Sequence, residues 1–280
     1  MKFNLHTHPH YCDGKDTPAE YVQEAINQNF TSFGFSSHAP LPFENSFAIK
    51  EEEIPNYVNE IIQLRELYKE ILPLFCGLEC DYIVNMSKPF QDFQQKYGLD
   101  FIIGGVHLVQ QDGQLWFIDG ADPQTYDDGL ATLFGGDAKK AVRQYYYQLC
   151  NMIENERFDI VAHLDKIKMH NRNRFFTEDE NWYRNCVRES LELIKEKDLI
   201  VEINTRGIYK KRCETFYPSL WIVKEMKSLS IPITISTDAH QKDEISLGFQ
   251  DAKNALLGIG MKDVKMLTCQ GWSNFRVEKA

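Results

Sequence analysis

Short apolar runs alternate with longer amphipathic stretches from one end of the chain to the other. The runs read as buried strands, and the stretches, apolar at three- and four-residue spacing, read as helices packed by one face. Strand one is expected over residues 2–8. A helix then opens at Thr17-Pro18-Ala19-Glu20, a capping box with proline in the first turn, and presents Tyr21, Val22, Ala25 and Ile26. Strand two, Thr31 to Ser36, leads to His38. The run Glu51-Glu52-Glu53 suits the positive end of a second helix, whose stripe is Ile54, Tyr57, Val58, Ile61, Leu64, Tyr68 and Ile71. Strand three, Leu74 to Leu78, ends at Glu79. A short helical stretch near 89–97 precedes strand four, Phe101 to Val106, which ends at His107.

Residues 108–136 break this rhythm. Gln111-Asp112-Gly113 between two apolar stretches predicts a hairpin, and the Gly-, Asp- and Tyr-rich stretch after it reads as a loop over a site. A helix over about 137–156 restores the pattern. Strand five, Phe158 to Ala162, ends at His163; Thr177-x-x-Glu180 announces the next helix; strand six is Leu199 to Asn204. A helix starts near Ser219, and strand seven, Ile231 to Ser236, ends at Asp238-Ala239-His240. A last helix and the apolar stretch Val264 to Thr268 close the chain. With no linker between the units, residues 1–280 read as a single α/β domain, a (β/α) barrel, distorted or seven-stranded. A doubly wound open sheet has the same spacing and remains the alternative.

In such barrels the functional side chains gather at the C-terminal ends of the strands. Those ends carry His6, His8, His38, Glu79, His107, His163, Asp238 and His240, which include six of the eight histidines. Core packing gives no reason to place six imidazoles on one edge. His6 and His8, two residues apart in a strand, point the same way. Imidazoles and carboxylates without a thiolate suit Zn, Mn or Fe and hydrolytic chemistry. With Asp13 they are too many for one ion, so two or three divalent metal ions are expected. Glu79 is the candidate bridge. Asp81 shares its face, but Glu79 stands directly at the end of the apolar run.

Composition narrows the partners. A net charge of −10 over 280 residues argues against nucleic acid or an anionic membrane as the standing partner. No apolar run approaches the roughly 20 residues of a membrane span, and the chain opens directly into a strand. Seven scattered cysteines fit a reducing, cytoplasmic setting, with Cys76 and Cys80 read as packing. Tyr145-Tyr146-Tyr147 reads as a core-plus-surface helix face. Glu202, Asn204 and Arg206 alternate onto one face of strand six, with Arg206 at the rim. A guanidinium beside clustered cations calls for an anion between them; phosphate fits, as does a rim carboxylate. Lys166, Lys168, Arg172 and Arg174 follow His163 and read either as phosphate contacts or as a solvated loop.

The series His6-x-His8, Asp13, His38, Glu79, His107, His163 and Ser236-Thr237-Asp238-Ala239-His240 resembles the PHP (polymerase and histidinol phosphatase) family of metal-dependent phosphoesterases. His6 to Gly14 and Glu202-Ile203-Asn204-Thr205 are similar to its histidinol-phosphate phosphatase branch in particular. The resemblance implies a distorted (β/α)7 barrel with up to three metals. It places one metal on His6, His8, Glu79 and Asp238, and a second on Glu79, His107 and His163. A third falls to Asp13, His38 and His240; many members carry histidine where this chain has Asp13. The implied reaction is hydrolysis of L-histidinol phosphate to L-histidinol and phosphate, with water between two metals attacking phosphorus in line. Arg206, with Asn204 and Lys166, is expected to contact the small-molecule phosphate ester. Either His240 or water held by Asp238 would protonate the leaving group; Glu44 and Asp165 are candidates to meet the substrate amine but read better as surface residues. Phosphotyrosine, nucleic acid as substrate of a nuclease, and a non-catalytic metal-stabilised module are the competing readings.

Overall fold

Phe101 lies fully buried at the centre of a seven-stranded parallel sheet that curls almost into a closed barrel. The computed structural model describes residues 2–278. The chain runs β1 (Lys2–Asn4), α1 (Pro18–Asn27), β2 (Phe30–His38), α2 (Ile54–Tyr68), β3 (Leu74–Asp81), α3 (Phe90–Tyr97) and β4 (Phe101–Gly105). A hairpin, β5 (Leu108–Gln111) and β6 (Gln114–Phe117), leads to α4 (Pro123–Phe134) and α5 (Ala138–Asn155). Then come β7 (Ile160–Val161), α6 (Asn181–Glu196), β8 (Ile200–Asn204), the short α7 (Arg206–Tyr209), α8 (Leu220–Leu229), β9 (Ile233–Ser236) and α9 (Phe249–Gly258). A second hairpin, β10 (Asp263–Thr268) and β11 (Gly271–Arg276), ends the description.

The sheet order is β1-β2-β3-β4-β7-β8-β9, every neighbouring pair parallel. Its two edges meet just above their strands: Thr7 and Ala239 form an isolated parallel bridge, and the His8 N–H donates to the Ala239 carbonyl at 2.7 Å. The expected distorted seven-stranded (β/α) barrel is therefore the fold, and the open sheet is set aside.

Inside the barrel the strands read apolar below and polar above. The lower layer is Leu5, Phe75, Phe101, Ile103, Ile160, Ala162 and Ile200, with Leu267 of β10 packed beneath and Trp272 of β11 against it. The terminal hairpin thus plugs the N-terminal end of the barrel, pinned where the Ser32 hydroxyl donates to the Leu267 carbonyl at 2.7 Å. Sequence alone suggested only a short apolar stretch there. Room for the Phe101 ring comes from Gly77, where a Cβ would stand 2.7 Å from it.

Two boundaries moved. The stretch after the first hairpin is a helix rather than a loop: Asp122 caps it by accepting from the Gln124 N–H, and Tyr126, Leu130 and Phe134 form a buried stripe. The Gly and Asp residues of that stretch hid the stripe. At α6, the Glu180 carboxylate accepts from the Thr177 N–H and from Trp182 Nε1, and the helix starts after Glu180 without a side-chain cap. The capping box at Thr17 and Glu20 forms as expected. Among the described residues no helix is long and apolar enough to cross a membrane.

Gly129 tests the packing of α4. An alanine there gains helix propensity of about 1 kcal/mol, but its Cβ would sit 2.0 Å from Trp116 Cδ1, on a ring that is itself buried. Overpacking of this kind costs about 1–3 kcal/mol, so Gly129→Ala should lower stability on balance. Urea unfolding midpoints of the two proteins check the sign.

Candidate active site

β2 and β3 pair so that His38 stands directly opposite Glu79. That register brings an imidazole and a carboxylate together at the C-terminal end of the sheet, and the other strand ends add to them. Glu79 is 1% exposed and central. Its Oε2 lies 3.1 Å from His6 Nε2, 3.4 Å from His8 Nε2 and 3.1 Å from His38 Nδ1. Its Oε1 lies 3.0 Å from His163 Nε2 and 3.5 Å from His107 Nε2. Asp238 Oδ1 is 3.4 Å from His8 Nε2 and 3.8 Å from His6 Nε2. Further out, Asp13 Oδ1 approaches His240 Nε2 at 3.2 Å and His38 Nε2 at 3.8 Å. All nine residues expected as ligands are brought together.

His163 Nε2 hydrogen-bonds Glu79 Oε1, but around Oε2 the contacts are close without being hydrogen bonds. His6 Nε2, His8 Nε2 and Glu79 Oε2 are buried and have no hydrogen-bond partner among the described residues. Lone pairs converging on a common point, rather than on one another's protons, are what a cation takes. Donor atoms group accordingly: His6, His8 and Asp238; His38, Glu79 and His107; and His8, Asp13, His38 and His240. The last group joins His8 to the expected outer set, and His38 faces two groups. The chemistry of the donors fits divalent ions of the zinc, manganese and iron class.

Electrostatics sorts the imidazoles. Burial pulls His8 down to about 4, and burial together with His8 does the same to His38, so both are neutral at pH 7 with free lone pairs. Burial also opposes charge on His6 and His107, but Glu202 and Glu79 raise His6, and Asp81 and Glu79 raise His107 to about 9. Glu79 stays well below the usual carboxylate range: burial would raise it, and the surrounding imidazoles, His6 foremost, outweigh that.

Two carboxylates stand behind the ring. Asp81, the rival to Glu79, accepts from the His107 N–H at 2.8 Å and meets His107 Nδ1 at 3.1 Å, so it orients a histidine. Glu202 does more. It meets His6 Nδ1 at 2.7 Å and accepts from the His163 N–H at 2.8 Å, Asn204 Nδ2 at 2.9 Å and Ser236 Oγ at 2.5 Å. Its role was readable as a charge inside an otherwise apolar strand, Ile200-Val201-Glu202-Ile203.

Over the cluster lies a cavity of about 280 Å³ lined by Asp13, His38, His107 and His240 below, and by Phe47, Phe117, Asp119, Arg206 and Arg212 around it. Phe47 and Phe117 stack at 5.7 Å and 10°. Arg206 is in this lining, though on α7 rather than on the strand, and its Nη1 donates to the Asp238 carbonyl at 2.5 Å.

Several expectations are revised. Asn204 does not face the cavity: its amide is spent on Glu202, on Asp238 Oδ2 at 3.3 Å and on the Arg206 N–H. Lys166 is buried, 2.9 Å from Asp119 Oδ1 and 4.0 Å from Asp238 Oδ2, and is not in the cavity lining. His240 is not poised to protonate a leaving group, since Nδ1 turns to the Asp238 carbonyl at 3.1 Å and Nε2 to Asp13. Asp165 is buried against Lys168 at 2.7 Å, and Glu44 is on the surface, so neither meets a substrate amine. Arg174 pairs with Asp127 instead of facing the cavity. Asp119 and Arg212 were missed, because both lie in loops with no periodic signal.

Glu202→Gln turns an amide N–H₂ towards donors that now point at oxygen. It should cost about 1–3 kcal/mol of stability and weaken divalent-cation binding about 10–100-fold. Denaturant unfolding and a competitive metal titration measure the two effects separately.

Comparison with known proteins agrees with this geometry. The PHP domain model matches residues 4–206. Histidinol-phosphatase of Bacillus subtilis is 26% identical over 265 residues, covering 89% of this chain and 97% of the relative. A solved Listeria monocytogenes chain superimposes with a TM-score of 0.78 at 24% identity, over 89% of this chain and 99% of its own length. Histidinol phosphate phosphatase of Lactococcus lactis, solved with Zn, L-histidinol and phosphate, gives a TM-score of 0.69 at 22% identity over 97% and 98% of the two chains. The fold, the ordered series of strand-end ligand candidates and the matching family model place this chain in the PHP family.

Proposed function

We propose that this protein hydrolyses L-histidinol phosphate to L-histidinol and inorganic phosphate, using divalent cations at the imidazole cluster. The observation that carries the reading is Glu79, one buried carboxylate contacted by five imidazoles beneath a cavity that also holds two arginines. His6, His8, Glu79 and Asp238 would hold one ion, Glu79, His107 and His163 a second, and Asp13, His38 and His240 a third, with Glu79 shared by the first two. Zinc is the first ion to try, since the Lactococcus lactis relative is solved with it. When bound, such ions supply an acidified water and neutralise charge on the transferring phosphoryl group.

The chain's own groups do the rest. Arg206, fixed through Nη1 on the Asp238 carbonyl, keeps its guanidinium at the cavity wall, where it orients a phosphate oxygen without first losing side-chain freedom. Asn204 ties Asp238 to Glu202, so Asp238 just past β9 and His6 just past β1 are set by a single buried network. A cavity of about 280 Å³ suits a small phosphate ester and excludes a polynucleotide from the cluster floor.

Phosphate release from L-histidinol phosphate, a phosphotyrosyl peptide, an aryl phosphate and short single-stranded DNA tests the reading, with metal-replete and chelated protein. A chelator-sensitive preference for histidinol phosphate is expected; activity confined to another member of the panel would sink the substrate assignment. Metal-loaded protein silent on every member would favour the non-catalytic module. Glu79→Ala should reduce turnover well beyond the 10–100-fold typical of an outer-shell change, with loss of bound metal seen by elemental analysis. Arg206→Ala should lower kcat by about 100–1,000-fold while metal content stays that of the parent.

A further inference from the structure

Asp119 stands out among the groups lining the cavity. Asp13 and Asp119 are the two carboxylates in that lining, and Asp13 belongs to the outer ligand group. Asp119 is 18% exposed; its Oδ1 faces Lys166 Nζ at 2.9 Å and Arg212 Nη1 at 3.7 Å, and its Oδ2 stands 3.8 Å from His107 Nε2. A carboxylate accepts at about four positions, and Lys166 occupies one side of this one. Buried Lys166 holds Asp119 from outside the cavity and Arg212 flanks it in the wall, both on Oδ1, which leaves Oδ2 toward the cluster.

We propose that Asp119 is the specificity residue for the substrate's ammonium group, so that the site selects amino-phosphate zwitterions; this rests on the histidinol-phosphate reading above. In such a substrate the amine sits on the carbon next to the ester-bearing carbon. The carboxylate that holds it must therefore border the phosphate position. Asp119 does, being adjacent to His107, whereas Glu44 is on the surface and Asp165 is locked to Lys168. The wall carries both signs side by side, Arg206 and Arg212 with Asp119. A phosphate flanked by an ammonium matches that pattern, and a neutral leaving group does not. The stacked Phe47 and Phe117 rings complete the wall with an apolar face of the size of an imidazole.

The test compares L-histidinol phosphate with its des-amino analogue, 3-(imidazol-4-yl)propyl phosphate, on the parent, Asp119→Asn and Asp119→Glu enzymes. Loss of a charge-assisted hydrogen bond predicts that Asp119→Asn lowers the ratio of kcat/KM values, histidinol phosphate over analogue, by about 10–100-fold. The loss should lie mainly in KM, with Asp119→Glu recovering part of the ratio. Using a ratio removes any shared loss from imperfect folding. An unchanged ratio in Asp119→Asn overturns the assignment while leaving the histidinol-phosphate reading intact. Asp119→Asn protein that binds one ion fewer makes Asp119 a metal ligand and likewise overturns it. Parent enzyme that ignores histidinol phosphate but cleaves an aryl phosphate defeats the substrate reading itself, and this proposal with it.

Discussion

The structure depends on a buried anion among imidazoles. Taking a carboxylate out of water costs several kcal/mol, and clustering imidazoles in the same space is unfavourable when they are charged. Each half of the problem offsets the other at Glu79, which meets five rings from the ends of four strands. Histidines with a second carboxylate behind them, His6 with Glu202 and His107 with Asp81, are held towards the charged form. Those without one, His8 and His38, are neutral. The same arrangement that balances charge inside the protein aims imidazole nitrogens at a common centre, with those of His8 and His38 unprotonated, so the folding requirement and metal binding share one solution.

The barrel makes that solution possible by dividing its interior into layers. Along β3 the inward positions run Phe75, Gly77, Glu79, and along β8 Ile200, Glu202, Asn204. A strand alternates faces every residue, so a two-residue step moves from apolar floor to polar ceiling without changing sides. Phe101 and the terminal hairpin fill the floor, where each buried Phe or Leu contributes about 1.5–3 kcal/mol, and the polar ceiling does not have to stabilise the fold by packing. Strain collects at the same end: Asp238 adopts φ +52°, a left-handed conformation that asparagine and aspartate tolerate better than most residues.

What was legible in the sequence follows from this layering. Strand ends were readable because six of the seven apolar runs stop at titratable residues, and those eight residues converge together with Asp13. The second layer was less legible. Glu202 and Asn204 lie on the expected face, but alternation says only that they point inward; it does not say whether they meet the cavity or the backs of the ligands. Lys166 was misplaced for a related reason, since a basic residue after His163 looks solvated until the loop folds it under Asp119. α4 was hidden because Gly129, which sequence reads as a breaker, is there to let Trp116 approach. Asp119 sits in a five-residue connection where no periodicity exists to read.

That last position shows how the two kinds of information divide. Ligands are fixed by the sheet, whose register is set by hydrophobic alternation, and a sequence pattern can find them. The cavity wall is built from what lies between the barrel strands: Phe47 before α2, Phe117 at the end of β6 and Asp119 after it, Arg206 on α7 and Arg212 beyond it. Loops are free to vary because the sheet beneath them already holds the metal-binding groups. A barrel of this kind can therefore keep one hydrolytic floor and change the leaving group it accepts by changing its walls. In this chain the wall sets two arginines, the Asp119 carboxylate and a pair of stacked phenylalanines around the imidazole cluster, a combination of charge and ring surface that the floor does not offer.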